Sequence, residues 1–391
     1  MRIVLLGASG SIGRQTIDVM EKNPSDFSLV GFSVGKRTRC IAYILKKHPS
    51  VTHVALINKA KAKYYQKKYP NVIFYSLEED KDGLNRLIRE TNNEMVVNAL
   101  VGFSGLVPSY TALINDKILA LANKESLVVG GEIINKLLKE GHGKLYPIDS
   151  EHSALWKCLK VDDEDVDRLV LTASGGAFRH LNRDELKDVT PEDALKHPTW
   201  RMGAKITIDC ATMMNKCFEL IEAYYLFGYK MNQLDVMLHD ESYLHSYVEY
   251  KYGLKRGEIN KPDMRNPIKF ALYQGSIDFK TQAFNDLKDL KNLHFHPFNE
   301  ERYPLVKKLA GLVINEGKNY GAMINASNEV AVNAFLNHEI SFLQIEEVIL
   351  KVIELCPKTK VNTIDDLVNL DHQYRELSKK IIKDMKKEAK R

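Results

Sequence analysis

Cysteine is scarce in this chain, and its spacing excludes two kinds of site. The 391 residues include five cysteines, an odd number, and no two of them have the C-x-x-C spacing of a zinc or redox motif. Reduced thiols are therefore expected, and neither a disulfide framework nor a cysteine-based zinc site is predicted. The cysteines are Cys40, Cys158, Cys210, Cys217 and Cys356.

Long apolar runs are lacking as well. No stretch approaches the roughly 20 apolar residues that a membrane-spanning helix needs. The chain opens on a strand pattern, without the basic and apolar regions of a signal peptide. We therefore expect a cytoplasmic protein that does not bind a membrane.

A basic surface on the folded body is the third absence, although the formal net charge is +5. Residues 379–391 contain seven lysines and arginines against two acidic residues, an excess of five that equals the net charge of the whole chain. Binding to nucleic-acid phosphates needs a basic surface on the folded domains. No nucleic-acid partner is expected, and the tail is predicted to be a solvent-exposed helix.

What the sequence does contain is an alternation of strand and helix patterns, which is typical of a parallel α/β sheet. A second α/β section starts with a strand at 169–172 and has another at 245–250, and the pattern becomes helical from about residue 300. The strand candidates of the first section are 3–6, 29–34, 53–57, 95–100, 118–121 and 145–148. We predict an α/β protein with a Rossmann-type domain over 1–150, an α/β central domain over 151–295 and an α-helical domain over 296–391.

The first strand leads directly into a glycine-rich loop, G-A-S-G-S-I-G at 7–13. Glycines three residues apart allow the tight turn that brings backbone amides and a helix N-terminus against a pyrophosphate. A glycine triad alone is weak evidence, but this one lies at the first strand–helix junction of an alternating pattern, as the motif requires. The loop favours dinucleotide binding over a purely structural turn.

The end of the second strand selects the dinucleotide. NAD-binding domains usually carry an acidic residue there, which holds the ribose hydroxyls. This chain has Gly35-Lys36-Arg37-Thr38-Arg39 instead. Because basic side chains attract a 2′-phosphate and a carboxylate would repel it, the sequence predicts NADPH.

Two later strands are followed by polar groups, L-A-N-K-E-S at 121–126 and P-I-D-S-E-H at 147–152. Asp149 and Glu151, taken together with Glu219, form an all-oxygen carboxylate set that favours Mg²⁺ or Mn²⁺ over zinc. The same spacing fits the start of a helix, with Asp149 or Ser150 as the N-cap and Glu151 in the first turn.

Residues 209–223 form the most informative stretch. A helix there would place Asn215, Lys216, Glu219 and Glu222 on one side. An amide, an ammonium and carboxylates in adjacent turns fit a phosphorylated substrate beside a metal ion. A solvent-exposed amphipathic face fits the same pattern.

Two loops complete the candidate site. Ser174-Gly175-Gly176 follows the strand at 169–172 and predicts either an anion-binding nest of amides or a tight turn. H-P-T-W-R-M at 197–202 places a tryptophan in a polar loop with proline. Such a tryptophan is either a core residue or part of a lid.

These motifs, in this order, resemble the 1-deoxy-D-xylulose 5-phosphate reductoisomerase family nearly end to end. Further shared motifs are A-S-G-G-A-F-R at 173–179, A-T-M-M-N-K at 211–216, P-D-M-R-N-P-I at 262–268 and N-A-S-N-E-V-A-V at 325–332. The resemblance implies an NADPH- and metal-dependent isomerisation and reduction of 1-deoxy-D-xylulose 5-phosphate to 2-C-methyl-D-erythritol 4-phosphate, in isoprenoid precursor biosynthesis. It also implies a V-shaped homodimer, with the dimer contact mainly in the central domain.

The resemblance carries roles over to individual positions. NADPH contacts are implied for Ser9, Gly10, Ser11, Ile12, Gly35, Lys36, Arg37, Asn123, Glu125, Gly203 and Met264. The implied ligands of Mn²⁺ or Mg²⁺, with Co²⁺ as a further candidate, are Asp149, Glu151 and Glu219. The implied contacts of the phosphosugar substrate are Lys124, Ser150, Glu151, Ser174, His197, Cys210, Asn215, Lys216 and Glu219. Catalytic roles are implied for Glu151, Lys124, His197 and Trp200, with the tryptophan covering the substrate.

Several positions depart from the family pattern. Cys210 stands where a serine helps bind phosphate, and Cys217 replaces glycine. Thr199 and Arg201 are unusual in the lid, and H-D-E-S at 239–242 replaces His-Pro-Gln-Ser. These departures leave two alternatives to the reductoisomerase: an NADPH-dependent oxidoreductase for a related phosphosugar, and a catalytically silent NADPH-binding or scaffolding protein.

Overall fold

The structure is a computed structural model that describes residues 1–276, 290 and 292–388. Lys390 and Arg391 of the basic tail lie outside these residues. The chain divides into two compact units, each with its own sheet. The first contains Met1–Ser126, Ile134–Ser153 and the described part of Met264–Phe279, and the second contains the rest of the described chain. The three-domain division along the sequence stays a prediction.

The first unit is built on a seven-stranded sheet in the order β4-β3-β2-β1-β5-β6-β7. All neighbouring strands are parallel, which confirms the predicted sheet. Strand β4 was not predicted; it is a short strand at the edge of the sheet, and its first residue is exposed. The strands are β1 Arg2–Leu6, β2 Ser28–Val34, β3 His53–Leu56, β4 Ile73–Ser76, β5 Met95–Asn98, β6 Ile118–Leu121 and β7 Lys144–Pro147.

Helices connect these strands, as right-handed parallel crossovers require. They are α1 Ser11–Lys22, α2 Ile41–Lys47, α3 Lys59–Lys68, α4 Gly83–Glu90, α5 Leu106–Ile114 and α6 Glu125–Lys139. Helix α7 Ser150–Val161 follows β7 and leads to the second sheet. The strand order reverses direction between β1 and β5, and an open α/β sheet binds its ligand at such a switch point. The glycine-rich loop follows β1 and therefore lies at this switch point.

The second unit contains a mixed five-stranded sheet in the order β11-β10-β8-β9-β12. Its strands are β8 Val166–Ala173, β9 Leu234–His239, β10 Leu244–Tyr250, β11 Lys255–Ile259 and β12 Phe295–Pro297. The remaining helices, in chain order, are α8 Pro191–Ala194, α9 Ala204–Thr212, α10 Met214–Phe227, α11 Arg265–Leu272, α12 Val306–Glu316, α13 Tyr320–Leu336, α14 Gln344–Leu355 and α15 Ile364–Glu388.

Helix α11 belongs to the first unit, although in the sequence it lies between β11 and β12 of the second sheet. Arg265 pairs with Asp18 of α1 at 2.5 Å, and the rings of Phe27 and Tyr273 meet edge to face with centroids 5.0 Å apart. The polar pair and the aromatic contact join this returning segment to the start of the chain.

The stretch at 209–223 is two helices, so the single predicted helix was wrong. Met213 has a φ of 62°, a left-handed conformation that ends α9 and precedes α10. A methionine rarely adopts this conformation, and no sequence pattern marks the break. Within the described residues, no helix is both long and apolar enough to cross a membrane.

Candidate functional site

The glycine-rich loop leads into the N-terminus of α1. Gly10 is the N-cap residue in an extended conformation and, as a glycine, provides no side-chain cap for the helix. The first N–H groups of a helix have no partner inside it, so those of Ser11 and Ile12 can bind an anion. Gly7 has a φ of +85°, and a Cβ there would lie 2.6 Å from the Ala99 carbonyl oxygen. Only glycine fits the turn, and the loop is shaped for a pyrophosphate.

The basic segment follows β2 in the same unit. Lys36, Arg37 and Arg39 are exposed, whereas Thr38 between them is buried. The Tyr65 hydroxyl donates to the Thr38 carbonyl at 3.1 Å, which holds the backbone while the three cations stay available. The residues present fit a 2′-phosphate.

Asn123 follows β6, and both the amide nitrogen and the amide oxygen of its side chain form hydrogen bonds with other protein groups. Its amide nitrogen donates to the carbonyls of Leu100 and Gly102 and to the Glu125 carboxylate, at 3.1, 2.9 and 3.2 Å. Its oxygen accepts from the backbone and the hydroxyl of Ser126. An amide has two donors and one acceptor oxygen, so this side chain organises the loop after β6.

The polar residues after β7 meet the lysine after β6. Lys124 and Asp149 form a largely buried ion pair, and the Ser150 hydroxyl donates to Glu151. The Asp149 carboxylate also accepts the Ser150 N–H at 3.0 Å, and α7 begins at Ser150. The predicted helix start is therefore confirmed, and it places Asp149 beside Lys124, and Glu151 in the first turn of α7, at the carboxyl end of a parallel sheet.

Helix α10 of the second unit is buried nearly all round. Lys216, Glu219 and Glu222 are each at most 3% exposed, so the interpretation as a solvent-exposed face was wrong. The ammonium of Lys216 pairs with Glu219 and donates to the Thr172 carbonyl at 2.6 Å. The amide of Asn215 also donates to Glu219. Buried charges need such partners, and here an amide and a cation converge on one carboxylate.

The loop after β8 joins this helix to the lid segment, residues 197–203. Gly175 and Gly176 both have positive φ, which both the tight turn and the anion-binding nest allow, and a Cβ on Gly176 would lie 2.6 Å from the Cys210 carbonyl oxygen. This close approach sets the 174–176 turn against the end of α9. Ser174 lies within hydrogen-bonding distance of His197 Nε2, at 3.1 Å.

Hydrogen bonds determine the tautomer of His197. Its Nδ1 accepts the N–H groups of Thr199 and Trp200, at 3.2 and 2.9 Å, so the proton of the neutral ring is on Nε2 and is donated to Ser174. Burial, with a smaller contribution from the Arg179 guanidinium, lowers the pKa of His197 to about 4. A neutral imidazole thus links the lid backbone to the 174–176 turn.

This environment predicts a pH dependence of stability. The ordinary pKa of 6.5 applies to the unfolded chain, so between pH 6.5 and about 4 only the unfolded chain is protonated at this residue. The stability conferred by neutral His197 is therefore lost as the pH falls through this window. In urea unfolding between pH 7 and 4.5, His197→Asn should lose less stability than the wild type. Equal losses would refute the assignment.

The tryptophan of the lid is partly buried. The ring of Trp200 lies 6.3 Å from that of His245, centroid to centroid, and Gly203 caps α9 in an extended conformation. The hydroxyl of Thr199 contacts that of Ser242 at 3.3 Å. The lid segment is therefore joined to the loop after β9, and Arg201 is exposed beside it.

The unusual loop at 239–242 is held by charged groups. The Arg179 guanidinium donates to the Asp240 carbonyl at 3.0 Å, and the carboxylates of Asp240 and Glu241 face the rings of His296 and His294. These contacts hold the loop at both Asp240 and Glu241. The motif at 173–179 was recognised in the sequence, but no role was predicted for its last residue, Arg179. The reason is that its partner, the Asp240 carbonyl, is far away in the sequence.

Three family models match the chain in succession. The model for 1-deoxy-D-xylulose 5-phosphate reductoisomerase matches residues 3–131, the model for its C-terminal domain matches 145–227, and a DXP reductoisomerase C-terminal domain model matches 259–377. The 1-deoxy-D-xylulose 5-phosphate reductoisomerase of Bacillus cereus (strain AH187) is 40% identical over 379 residues, which covers 95% of this chain and 97% of the relative. The chain belongs to the 1-deoxy-D-xylulose 5-phosphate reductoisomerase family.

Solved structures of reductoisomerases have the same fold. A crystal structure of DOX-P reductoisomerase in complex with NADPH, fosmidomycin and magnesium is 29% identical, with a TM-score of 0.89 and 99% of both chains covered. The reductoisomerase from Zymomonas mobilis in complex with NADPH is 31% identical, with a TM-score of 0.87 and coverage of 97% of this chain and 98% of that one. The predicted fold class is confirmed.

Proposed function

We propose that this chain converts 1-deoxy-D-xylulose 5-phosphate to 2-C-methyl-D-erythritol 4-phosphate, with NADPH and a divalent metal, in isoprenoid precursor biosynthesis. The observation that carries the proposal is the α10 cluster, in a chain that belongs to the reductoisomerase family. Glu219 is buried there with an amide and an ammonium as partners. Such a cluster has the donors and the charges that a sugar phosphate and a cation need.

Asp149, Glu151 and Glu219 are the proposed metal ligands. The donor set fits the ion, because carboxylate oxygens are the ligands that Mg²⁺ and Mn²⁺ prefer. Each carboxylate is already oriented by a neighbouring donor, namely Lys124, Ser150 or Lys216. When bound, the metal polarises the carbonyl and hydroxyl oxygens of the ketose, and NADPH supplies the hydride.

The other proposed roles belong to side chains around this set. Asn215, Lys216 and Ser174 would hold the phosphate through an amide, an ammonium and a hydroxyl. Glu151 would accept a proton from the substrate, Lys124 would lie near the sugar chain, and Trp200 would cover the sugar and exclude water. His197, neutral and bonded to the lid backbone, would position that cover.

The basic segment predicts the choice of cofactor. Lys36→Ala/Arg37→Ala should raise the dissociation constant of NADPH about ten-fold while leaving that of NADH within about two-fold, since only NADPH carries the 2′-phosphate that these cations attract. Lys61→Ala, an exposed lysine of α3, is the control. Fluorescence titration measures both constants, and equal weakening of both cofactors would argue against this role.

Replacing Cys210 by serine is expected to raise the affinity for the phosphosugar modestly. A thiol donates a hydrogen bond more weakly than a hydroxyl, so Cys210→Ser should lower KM for the phosphosugar by roughly three-fold and leave kcat nearly unchanged. Cys217, a buried residue of α10, provides the control. Cys217→Ser should lower only the stability of the protein. An unchanged KM in Cys210→Ser would show that the thiol lies away from the phosphate.

We also propose a cytoplasmic homodimer. Strand β11 is an edge of its sheet, and the turn before it exposes Tyr252 and Leu254, at 85% and 55%. Exposed apolar groups beside an open strand edge are typical of a protein–protein interface. Sedimentation equilibrium should give twice the 44.6 kDa mass of the chain, and a monomer at micromolar concentration would contradict the proposal.

A turnover assay tests the function. The protein, NADPH and Mn²⁺ are incubated with 1-deoxy-D-xylulose 5-phosphate, and NADPH oxidation and the product are followed. Oxidation with formation of the branched polyol phosphate is expected. No oxidation with this ketose, together with oxidation in the presence of a related sugar phosphate, would favour the altered-substrate oxidoreductase instead.

A further inference from the structure

A buried hydrogen bond joins the C-terminal helices to α9. The amide nitrogen of Asn328, in α13, donates to Asp209 Oδ1 at 2.9 Å. Asn328 is 0% exposed and Asp209 is 2% exposed. A carboxylate only accepts hydrogen bonds, so the asparagine must present its NH₂ group, and a charge-assisted bond of this kind is stronger than a neutral one.

The second oxygen of Asp209 is held by its own helix. Lys205, one turn earlier in α9, pairs with Asp209 Oδ2 at 2.8 Å, and its ammonium lies 5.1 Å from the centre of the Phe218 ring. One oxygen of the carboxylate is thus fixed from α13 and the other from α9. Asp209 therefore fixes the rotation of α9 about its axis.

Helix α13 is itself anchored on its other side. Glu329, next to Asn328, pairs with Arg375 of α15 at 2.8 Å, and Arg375 also pairs with Asp371 at 2.6 Å. These groups are largely buried, so they hold α13 against α15. The contact between α13 and α15 therefore holds Asn328 in place where its amide bonds to α9.

The position of α9 matters because its end lies within the proposed phosphate pocket. Cys210 follows Asp209 directly, and its carbonyl lies against Gly176 so closely that a Cβ there would be 2.6 Å away. The left-handed Met213 then turns the chain into α10, which carries Asn215 and Lys216. A rotation of α9 would displace both sides of the pocket.

We infer that Asn328 is a positioning residue of the phosphate pocket, acting through Asp209. The inference rests on the proposed function, since it takes the residues around Cys210 and Lys216 as the site of the substrate phosphate. Asn328 itself contacts neither substrate nor cofactor. It acts by keeping the end of α9 and the start of α10 at the positions from which their residues would hold the phosphate.

The test compares two asparagines of one helix. Asn328→Ala should raise KM for the ketose phosphate, and the inhibition constant of inorganic phosphate, about ten-fold, because the displaced pocket would weaken the charge-assisted hydrogen bonds to the phosphate. The dissociation constant of NADPH should stay unchanged, and kcat should fall less than three-fold. Asn325→Ala is the matched control, because Asn325 is equally buried and its side-chain hydrogen bond among the described residues stays within α13, to Glu329, whose ion pair with Arg375 remains. It should lower the melting temperature without changing KM.

A double variant checks that the effect passes through Asp209. In an Asp209→Asn background, Asn328→Ala should have little further effect on KM, because coupled residues are not additive. Equal KM changes in Asn328→Ala and Asn325→Ala, or additive effects in the double variant, would overturn the inference. If Asn328→Ala does not fold, Asn328→Ser carries the same expectation. A wild-type protein without turnover would refute the proposed function instead, so the two failures are distinguishable.

Discussion

Glu219→Gln is expected to lower turnover on the order of 1,000-fold, because a bound metal supplies several kcal/mol of charge stabilisation and loses a charged ligand. The amide has nearly the same shape as the carboxylate. Lys216 keeps its hydrogen bond to the Thr172 carbonyl at 2.6 Å in the variant, so its ammonium is not left without a partner. The dissociation constant of NADPH should be close to that of the wild type, since the glycine-rich loop belongs to the first unit.

The control for this variant is another ion-paired carboxylate of the second unit. Glu258 pairs with Lys157 at 2.7 Å and has a 16% exposed side chain. Glu258→Gln removes a partly buried negative charge that no proposed role in substrate or metal binding uses, and it should reduce the melting temperature without abolishing turnover. Steady-state kinetics with Mn²⁺ and fluorescence titration of NADPH give the two readouts. Loss of NADPH binding in Glu219→Gln would refute the assignment of Glu219 to the metal.

Gly13→Ala is expected to destabilise the first unit by about 3 kcal/mol and to weaken NADPH binding on the order of 100-fold. A Cβ at this position would lie 2.3 Å from the Gly7 carbonyl oxygen and 2.6 Å from the Ala8 Cα. Both contacts are backbone atoms of the glycine-rich loop, so no side chain can move aside. Helix α1 must shift away from β1, and the amides at its start leave the pyrophosphate position.

A second helical glycine provides the control, because its replacement should change the free energy of unfolding in the opposite direction. Gly311 lies inside α12, and the nearest heavy atom to a Cβ there is the flexible Asn315 side chain at 3.7 Å. Alanine fits at this position and restricts the unfolded chain, so Gly311→Ala should stabilise the protein by about 0.5–1 kcal/mol. Urea unfolding measures both changes. Destabilisation by both variants would mean that close packing is not the cause at Gly13.

The strands of the first sheet could be predicted from the sequence because both faces of a parallel sheet are buried. Strands β1, β5 and β6 accordingly consist almost entirely of apolar residues. The strand at 73–76 escaped prediction because it is an edge strand with an exposed first residue. The left-handed Met213 escaped for a different reason, since its side chain is 2% exposed and its packing stabilises a conformation that the sequence disfavours.

The candidate site was predictable to the extent that its chemistry is local. Three motifs each lie within a few residues, so their chemistry can be recognised from the sequence. They are the glycine spacing at 7–13, the cations at 36–39 and the carboxylates at 149 and 151. Asn328 and Arg179 could not be assigned in this way. Their partners, Asp209 and the Asp240 carbonyl, are 119 and 61 positions away along the chain.

The sequence by itself determined the fold class, the preference for NADPH and the family, because these depend on residue type, spacing and order. Only the tertiary structure decided which charged residues are buried and what they contact. Helix α10 shows the difference, since its polar residues match a solvent-exposed face by spacing alone. Burial makes Lys216 and Glu219 partners, because a charge removed from water needs an opposite charge or a hydrogen bond beside it.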